Sequence, residues 1–377
     1  MVDGVRAALV FITTFWLAWG AMQSVEGLMS SRRAPASLNM PLTTRTAILM
    51  PVYNEDPAVA FARVAAMDVS LTRLGVVEQF DFAILSDTQN DRVGTEEERW
   101  FVRLWEDRGQ DARVASGKAP RFFYRRRARN IGRKAGNIQD FFETSGAQYD
   151  FALILDADSL MEGETIVEMV RRMQAAPELG LLQTLPRITG ARSRFGRAMQ
   201  FAAGFYSPVF AQGQAAMQGV TGPFWGHNAM VRVRAFAESC ALPELSGPPP
   251  FGGHILSHDY VEAALLARAG WGVRLDPDLA GSYEEGPENM IDFAKRDRRW
   301  CQGNLQHIRV ISAPGLKGWS RFVFFQGILS YVAPLFWVMF LASNLYATAT
   351  APEPDFFPEP FQLFPVFPSD QTSKAVG

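Results

Sequence analysis

Disulfides are the first thing the chain lacks. Its 377 residues hold two cysteines, Cys240 and Cys301, too few for a disulfide framework. Such scarcity fits a reducing compartment in which both are packing residues. An excess of charge of either sign is missing too. With 37 Lys and Arg against 39 Asp and Glu, the net charge is −2, and nothing global points to nucleic acid as a partner. No internal repeat is visible, and no G-x-G-x-x-G follows the first strand pattern, which argues against a dinucleotide dehydrogenase.

Long hydrophobic runs are present, and they are concentrated. Ala7 to Val25 carries no charge, and neither does Phe322 to Pro352. Each is long enough to cross the hydrocarbon core as a helix, the first only just. Arg32, Arg33 and Arg45 follow the first run and Lys317 and Arg321 precede the second, whereas Glu353, Asp355 and Glu359 follow the second. The positive-inside rule then places the residues between the runs in the cytoplasm. The expected organisation is a transmembrane helix at 1–25, a linker at 26–45, a catalytic domain at 46–306, an interfacial segment at 307–321, a second transmembrane helix at 322–350 and an irregular tail at 351–377.

Between the runs, strand and helix patterns alternate. Strands are predicted at 46–53, 80–85, 151–155, 179–184, 229–233 and 272–275. Helices are predicted from Pro57 to about Gly75, and at 134–144, 163–175, 259–269 and 287–306. Asp56 is placed to cap the first of these, with Pro57 in its first turn. Thr95 and Glu98 form a capping box for another helix that reaches Gly109. Such alternation implies an α/β fold, a mainly parallel sheet with helices on both faces.

The chemistry-bearing residues fall at the ends of these elements. Asp156-Ala157-Asp158 closes the apolar run Phe151 to Leu155, where an open sheet meets its ligand crevice. Two carboxylates so close suit a hard divalent cation bridging to phosphate. Asp87 ends another strand, and the first βα turn carries Tyr53, Asn54 and Glu55. Arg125 to Lys134 is densely basic. It reads either as a solvated face beside an anionic bilayer or, at Lys134 and the helix it opens, as a diphosphate site. Ser257-His258-Asp259 opens a helix, and Asp259 is a candidate general base. In Arg296-Asp297-Arg298-Arg299-Trp300, helical spacing puts Arg296, Arg299 and Trp300 on one face, with two guanidiniums able to hold a diphosphate.

Taken in order, Asp87, the Asp156-Ala157-Asp158 triplet, Ser257-His258-Asp259 and Arg296 to Trp300 resemble the four motifs of processive, membrane-bound family 2 glycosyltransferases. The match covers about residues 46 to 306. Ser-His-Asp in place of Thr-Glu-Asp, and Arg in place of Gln at the head of the last motif, are similar to the branch that builds osmoregulated periplasmic glucans. Ile48 to Asp56 and Trp225-Gly226-His227-Asn228 are similar to that branch as well.

The resemblance implies a GT-A fold, UDP-glucose as donor, a β-glucan acceptor and product, inverting transfer, and a Mg2+ or Mn2+ cofactor. It implies a multi-pass protein of the bacterial inner membrane. On this pattern Tyr53, Glu55, Asp87, Lys134, Asp156 and Asp158 bind the nucleotide sugar, with Asp158 and Asp156 as metal ligands. Asp259 is the base, Arg296 and Arg299 act at the leaving group, Trp300 completes the catalytic set by walling off the sugar, and Trp225, His227 and Trp300 line the acceptor site. The family carries more membrane helices after the catalytic domain than the two candidates here. The chain is therefore expected to be a partial form, completed by further C-terminal helices or by a membrane subunit. Two alternatives are a catalytically silent scaffold that senses a UDP-sugar, and a sister synthase that uses UDP-N-acetylglucosamine.

Overall fold

The computed structural model describes residues 2–30 and 39–350. Arg32, Arg33 and everything from position 351 onward, including the predicted tail, lie outside the described residues. The chain divides into two compact units, Met1–Gly20 with Val332–Gly377, and Ala21–Tyr331.

The larger unit is organised by a seven-stranded sheet. Four strands come from the first half: β1 (Thr46–Val52), β2 (Phe80–Ser86), β3 (Phe122–Arg126) and β4 (Phe151–Ile154). Three come from the second: β6 (Leu179–Gln183), β8 (Ala229–Arg232) and β9 (Gly272–Leu275). Their spatial order is β3-β2-β1-β4-β8-β6-β9. All neighbouring pairs are parallel except those made by β8, which runs antiparallel to β4 and β6.

The near-continuous apolar runs of β1, β2 and β4 are what a sheet covered on both faces requires. Alternate residues serve opposite cores, because successive side chains point to opposite faces. Ile48 and Met50 pack with Phe61, Val64 and Met67 of α2 (Pro57–Arg73) and with Ile166 and Met169 of α6 (Gly163–Ala175). Ala47 and Leu49 pack instead with Ile138 and Phe141 of α5 (Arg133–Ser145), Phe236 of α8 (Val233–Ser239) and Leu266 of α9 (His258–Arg268). Cys240 is buried in this second core.

Parallel pairing brings the carboxyl ends of β1, β2 and β4 to one edge, and Tyr53, Asp87 and Asp156 leave the sheet there. Because β8 is antiparallel, its amino end arrives at the same edge: Ala229 pairs with both Ile154 and Gln183. A second sheet, ordered β5-β10-β7, is made by β5 (Leu160–Met161), β10 (Ser282–Glu285) and β7 (Arg187–Thr189).

The expected strands and helices are found, and the structure adds others, the seven-residue α8 among them, and moves one helix start. Edge strand β3 was hidden by its arginines, and the short strands of the second sheet carry no length of periodic pattern. The 25-residue helix α7 (Arg194–Gln218) was not predicted, since Pro208 and several glycines interrupt its pattern. Finally, α3 (Asp91–Asp107) begins before Thr95. Its cap is Asn90, whose Oδ1 accepts the amide N–H groups of Arg92 and Val93, while Thr95 donates to the Asp91 carbonyl. A six-residue helix, α4 (Gln110–Ala115), follows it.

Among the described residues two helices are long and apolar enough to cross a membrane, Gly4–Met29 and Gly318–Thr350. They lie in α1 (Val2–Met29) and α11 (Gly318–Thr350). Their 26 and 33 residues span about 39 and 50 Å at 1.5 Å per residue, against about 30 Å of hydrocarbon. Both begin or end outside the predicted bounds. Residues 26–29 belong to α1 rather than to a linker, and α11 starts at Gly318, inside the predicted interfacial segment. Within the smaller unit, Arg6 donates to Asn344 Oδ1 at 2.8 Å.

Candidate active site

The turn after β4 is locked by hydrogen bonds of backbone and side chains. The Asp156 amide donates to Ser159 Oγ at 3.0 Å, and the Ser159 amide donates back to the Asp156 carbonyl at 3.0 Å. Arg63 of α2 holds the Ala157 carbonyl at 2.7 Å. The two carboxylates carried by this turn have different environments.

Asp156 is ion-paired with Lys134, whose Nζ also donates to the Gly226 carbonyl at 2.6 Å. Burial opposes its ionisation, yet the positive charges of Lys134, His227 and Arg299 outweigh that and bring its pKa to about 2. Among the described residues no side chain hydrogen-bonds or ion-pairs with Asp158. Burial and the Asp156 charge push its pKa up, with His227, Arg296 and Arg63 opposing.

Gly226 links this pair to the candidate base. Its φ of 84° lies in the region that favours glycine, and a Cβ there would sit 3.5 Å from Cβ and Oδ2 of Asp259. Lys134 thus joins Asp156 to Gly226, and Gly226 lies beside Asp259, the four residues being drawn from four separate segments. Asp259 occupies the first turn of α9. Burial raises its pKa and Glu262 adds to the effect, while His258 and backbone N–H groups oppose it. His258 is itself paired to Glu262 at 3.1 Å.

Asp87 is buried and held by Arg127 through two parallel hydrogen bonds of 2.7 and 2.9 Å. Its basic neighbours are likewise engaged inside the fold. Arg125 binds Asn137 and Asp140, and Arg126 binds Asp91 and the Thr88 carbonyl. The solvated-face reading of this stretch is thus corrected for Arg125 to Arg127, because β3 lies against β2 and turns these side chains onto α3 and α5. At the rim, Tyr53 is half exposed, and its amide donates to the Glu55 carboxylate. Burial raises the Glu55 pKa, and the charge of Asp156 contributes.

The arginine motif lies in α10 (Met290–Gln306). Arg296 stacks on the Trp300 ring, 4.4 Å from its centroid. Arg296 acts electrostatically on Asp158, and Arg299 on Asp156. His227 faces Glu284 at 3.4 Å. Trp225 packs against Ala211 and Ala215 of α7 and Leu275 of β9.

Four contributors escaped the sequence reading. Glu284 stands among His227, Arg296 and the aspartate pair, and burial raises its pKa. Arg63 braces the aspartate turn. Asn228, at φ 50°, fastens the Trp225–Asn228 turn to Ser282 and Tyr283. Gln306, fully buried, accepts from the Leu256 amide at 2.9 Å and donates to the carbonyls of Gly252 and His254 at 3.1 Å each. Beside it, His307 donates to the Ser257 carbonyl at 3.1 Å, and burial lowers its pKa to about 4. The end of α10 thereby holds the loop that delivers Asp259. Only Asn228 had a visible signal, its place in the Trp-Gly-His-Asn motif.

Glycosyl transferase family group 2 matches residues 151–351, and the chain belongs to that family. The sheet, with its single antiparallel strand β8, is of the GT-A-like kind. A mannosyltransferase from Pyrobaculum calidifontis, solved with GDP-Man and Mn2+, superposes with a TM-score of 0.63 at 15% identity, over 93% of this chain and 88% of that one. Among curated relatives, the glucans biosynthesis glucosyltransferase H of Cereibacter sphaeroides is 62% identical over all 377 residues. The protein of the same name from Vibrio cholerae serotype O1 is 46% identical over 372 residues, 98% of this chain. The chain spans 62% and 50% of the lengths of these two relatives.

Proposed function

We propose that the chain is a membrane-bound, inverting glucosyltransferase that moves glucose from UDP-glucose to a growing β-glucan of the osmoregulated periplasmic type. The observation that carries the reading is the Lys134 bridge from the Asp156 carboxylate to the Gly226 carbonyl, at a glycine whose added Cβ would lie 3.5 Å from the partly buried Asp259 carboxylate. The names of the relatives supply the sugar and the polymer.

In this mechanism Asp87 and the Tyr53–Glu55 turn receive the uridine, with Arg127 orienting Asp87. Asp156 and Asp158 face the ribose and diphosphate, and Lys134 lies beside the diphosphate. The acceptor hydroxyl attacks the anomeric carbon as Asp259 takes its proton, and the bond from that carbon to the diphosphate oxygen breaks. Burial fits Asp259 for this task, because a raised pKa makes a carboxylate a stronger base near neutral pH. Arg296 and Arg299 meet the charge that develops on the departing UDP. Trp300 walls off the sugar, and Trp225 and His227 border the acceptor.

The donor set also fits a divalent cation, Mg2+ or Mn2+. Among the described residues Asp158 has no ion-pair partner, and it stands next to a second carboxylate. Among the described residues no group of three or more His, Cys, Asp or Glu forms a metal cage, so substrate phosphates would complete the coordination. Such a cation, held by Asp158 and Asp156, would supply Lewis-acid stabilisation of the diphosphate.

On the same reading the chain is a bacterial inner-membrane protein anchored through α1 and α11, with residues 46–306 in the cytoplasm. Membranes containing the chain, given Mg2+ and separately labelled UDP-glucose or UDP-N-acetylglucosamine, test the assignment. Polymer from UDP-glucose alone is expected. Polymer from the other donor assigns a sister synthase, and UDP binding without turnover assigns a sensing scaffold.

A further inference from the structure

Helix α3 buries a carboxylate that the proposed chemistry leaves unused. Glu97 is 1% exposed, and among the described residues no cation pairs with it. Three hydroxyls serve it instead. The Ser86 hydroxyl donates to Glu97 Oε2 at 2.6 Å and the Tyr124 hydroxyl to the same oxygen at 2.9 Å, while the Thr88 hydroxyl donates to Oε1 at 2.5 Å. Burying a carboxylate without a counter-charge costs free energy that an apolar side chain of the same size would not.

A carboxylate only accepts hydrogen bonds, so it fixes the direction of every hydroxyl around it. With their hydrogens committed to Glu97, Ser86 and Thr88 turn their lone pairs to backbone N–H groups. Ser86 Oγ accepts from the Thr88 amide at 3.2 Å, and Thr88 Oγ1 accepts from the Asn54 amide at 2.9 Å. Ser86 and Thr88 flank Asp87 at the end of β2, whereas Asn54 lies in the turn after β1. Asn54 has a φ of 60°, a left-handed conformation uncommon outside glycine. The cap of α3 fastens it a second time, because the Asn90 amide donates to Asn54 Oδ1 at 3.1 Å. One helix thus ties two strand ends together, through Asn90 at its start and Glu97 farther in.

We infer that Glu97 is a positioning residue for donor binding. Its charge orders the Ser86 and Thr88 hydroxyls, and these hold Asp87 and the Tyr53–Glu55 turn in register for one uridine. The inference rests on the proposed reading of Asp87 and that turn as the uridine site. Glu97 is buried beneath both and acts only through the hydroxyls. Gln in its place keeps the size but accepts on one side only, so it cannot receive all three hydroxyls in the same geometry.

Calorimetric titration of the full chain with UDP, beside thermal melting of the same samples, tests this. Glu97→Gln, and Thr88→Val, which removes the hydroxyl and keeps the shape, are each expected to bind UDP about tenfold more weakly at unchanged stoichiometry, the scale of one lost hydrogen bond to a charged group. Thr88→Ser keeps the hydroxyl and is expected to bind as the parent does. The double variant of Glu97→Gln and Thr88→Val is expected to be little weaker than either alone, because both act through one bond. A merely structural role lowers the melting temperature and the fraction of competent protein but leaves the affinity of that fraction unchanged. That result for Glu97→Gln and Thr88→Val overturns the positioning role. Asp87→Ala keeps the two readings apart. If it weakens UDP binding while Glu97→Gln and Thr88→Val bind as the parent does, the uridine site stands and the role of Glu97 falls. UDP affinity unmoved by all three substitutions overturns both.

Discussion

Replacing Asp259 by Asn removes one charge and keeps the shape, and it separates function from stability in opposite directions. The base takes a proton only as the acceptor attacks, so its loss removes the contribution of general base catalysis, about 10²–10⁴-fold in turnover, or about 2.7–5.4 kcal/mol of barrier. UDP affinity is expected to stay unchanged, because the proposed mechanism assigns the donor to Asp87, Lys134 and the aspartate pair. Labelled-sugar turnover and UDP titration calorimetry on the same preparation read the two effects apart.

Burial raises the pKa of Asp259, so in the unmodified protein activity falls with decreasing pH at a point above the ordinary carboxylate range, and Asp259→Asn lacks that limb. The raised value also means that the folded state holds the proton more tightly than the unfolded chain. Asp259 therefore contributes stability below its unfolded pKa, and this is lost as pH rises through the folded one. At neutral pH the Asn variant is expected to melt at a higher temperature than the parent, with the gap closing in acid. Turnover within about tenfold of the parent would refute the assignment of Asp259 as base, given what such a base contributes. A lower melting temperature at neutral pH would refute the account of its buried charge.

Three further outcomes follow from the same geometry. Asp158→Ala is expected to abolish the Mg2+ dependence of UDP binding, and equal UDP affinity with and without Mg2+ in the parent would remove the metal from the site. Gln306→Ala strips a buried loop of three hydrogen bonds, at about 1–3 kcal/mol for each group left unsatisfied. Thermal melting should fall and turnover should fall with it, while UDP affinity is kept. Asp68 is fully buried between Arg108 and Arg121, bound at 2.9 Å to Arg121 and ion-paired with Arg108. Asp68→Ala leaves Arg121 with a buried, unpaired charge and is expected to cost about 3–5 kcal/mol in denaturant unfolding without altering UDP affinity.

Much of this architecture was legible in the order of residues, because it depends on local periodicity. The runs Thr46–Val52 and Phe151–Ile154 read as strands since a doubly covered sheet leaves no polar face to alternate with. Asp87 and Asp156 could be placed at a crevice since strand ends in open sheets share one. The charge pattern around the two apolar helices likewise needs no coordinates. Where the pattern was broken or short, it failed. The proline and glycines of α7 disguised a 25-residue helix, and β3 passed for surface because its arginines are neutralised by partners distant in sequence.

Tertiary structure alone decided the rest. No local rule pairs Lys134 with Asp156, 22 positions away, or brings Gly226 against Asp259. Those contacts arise because β8 runs antiparallel to its neighbours and returns its amino end to the edge where the parallel strands finish. Glu284 and Gln306 owe their places to a second sheet and to the far end of a helix. A residue's chemistry is written in its side chain, but its protonation and its partners depend on which distant charges folding brings within a few ångströms.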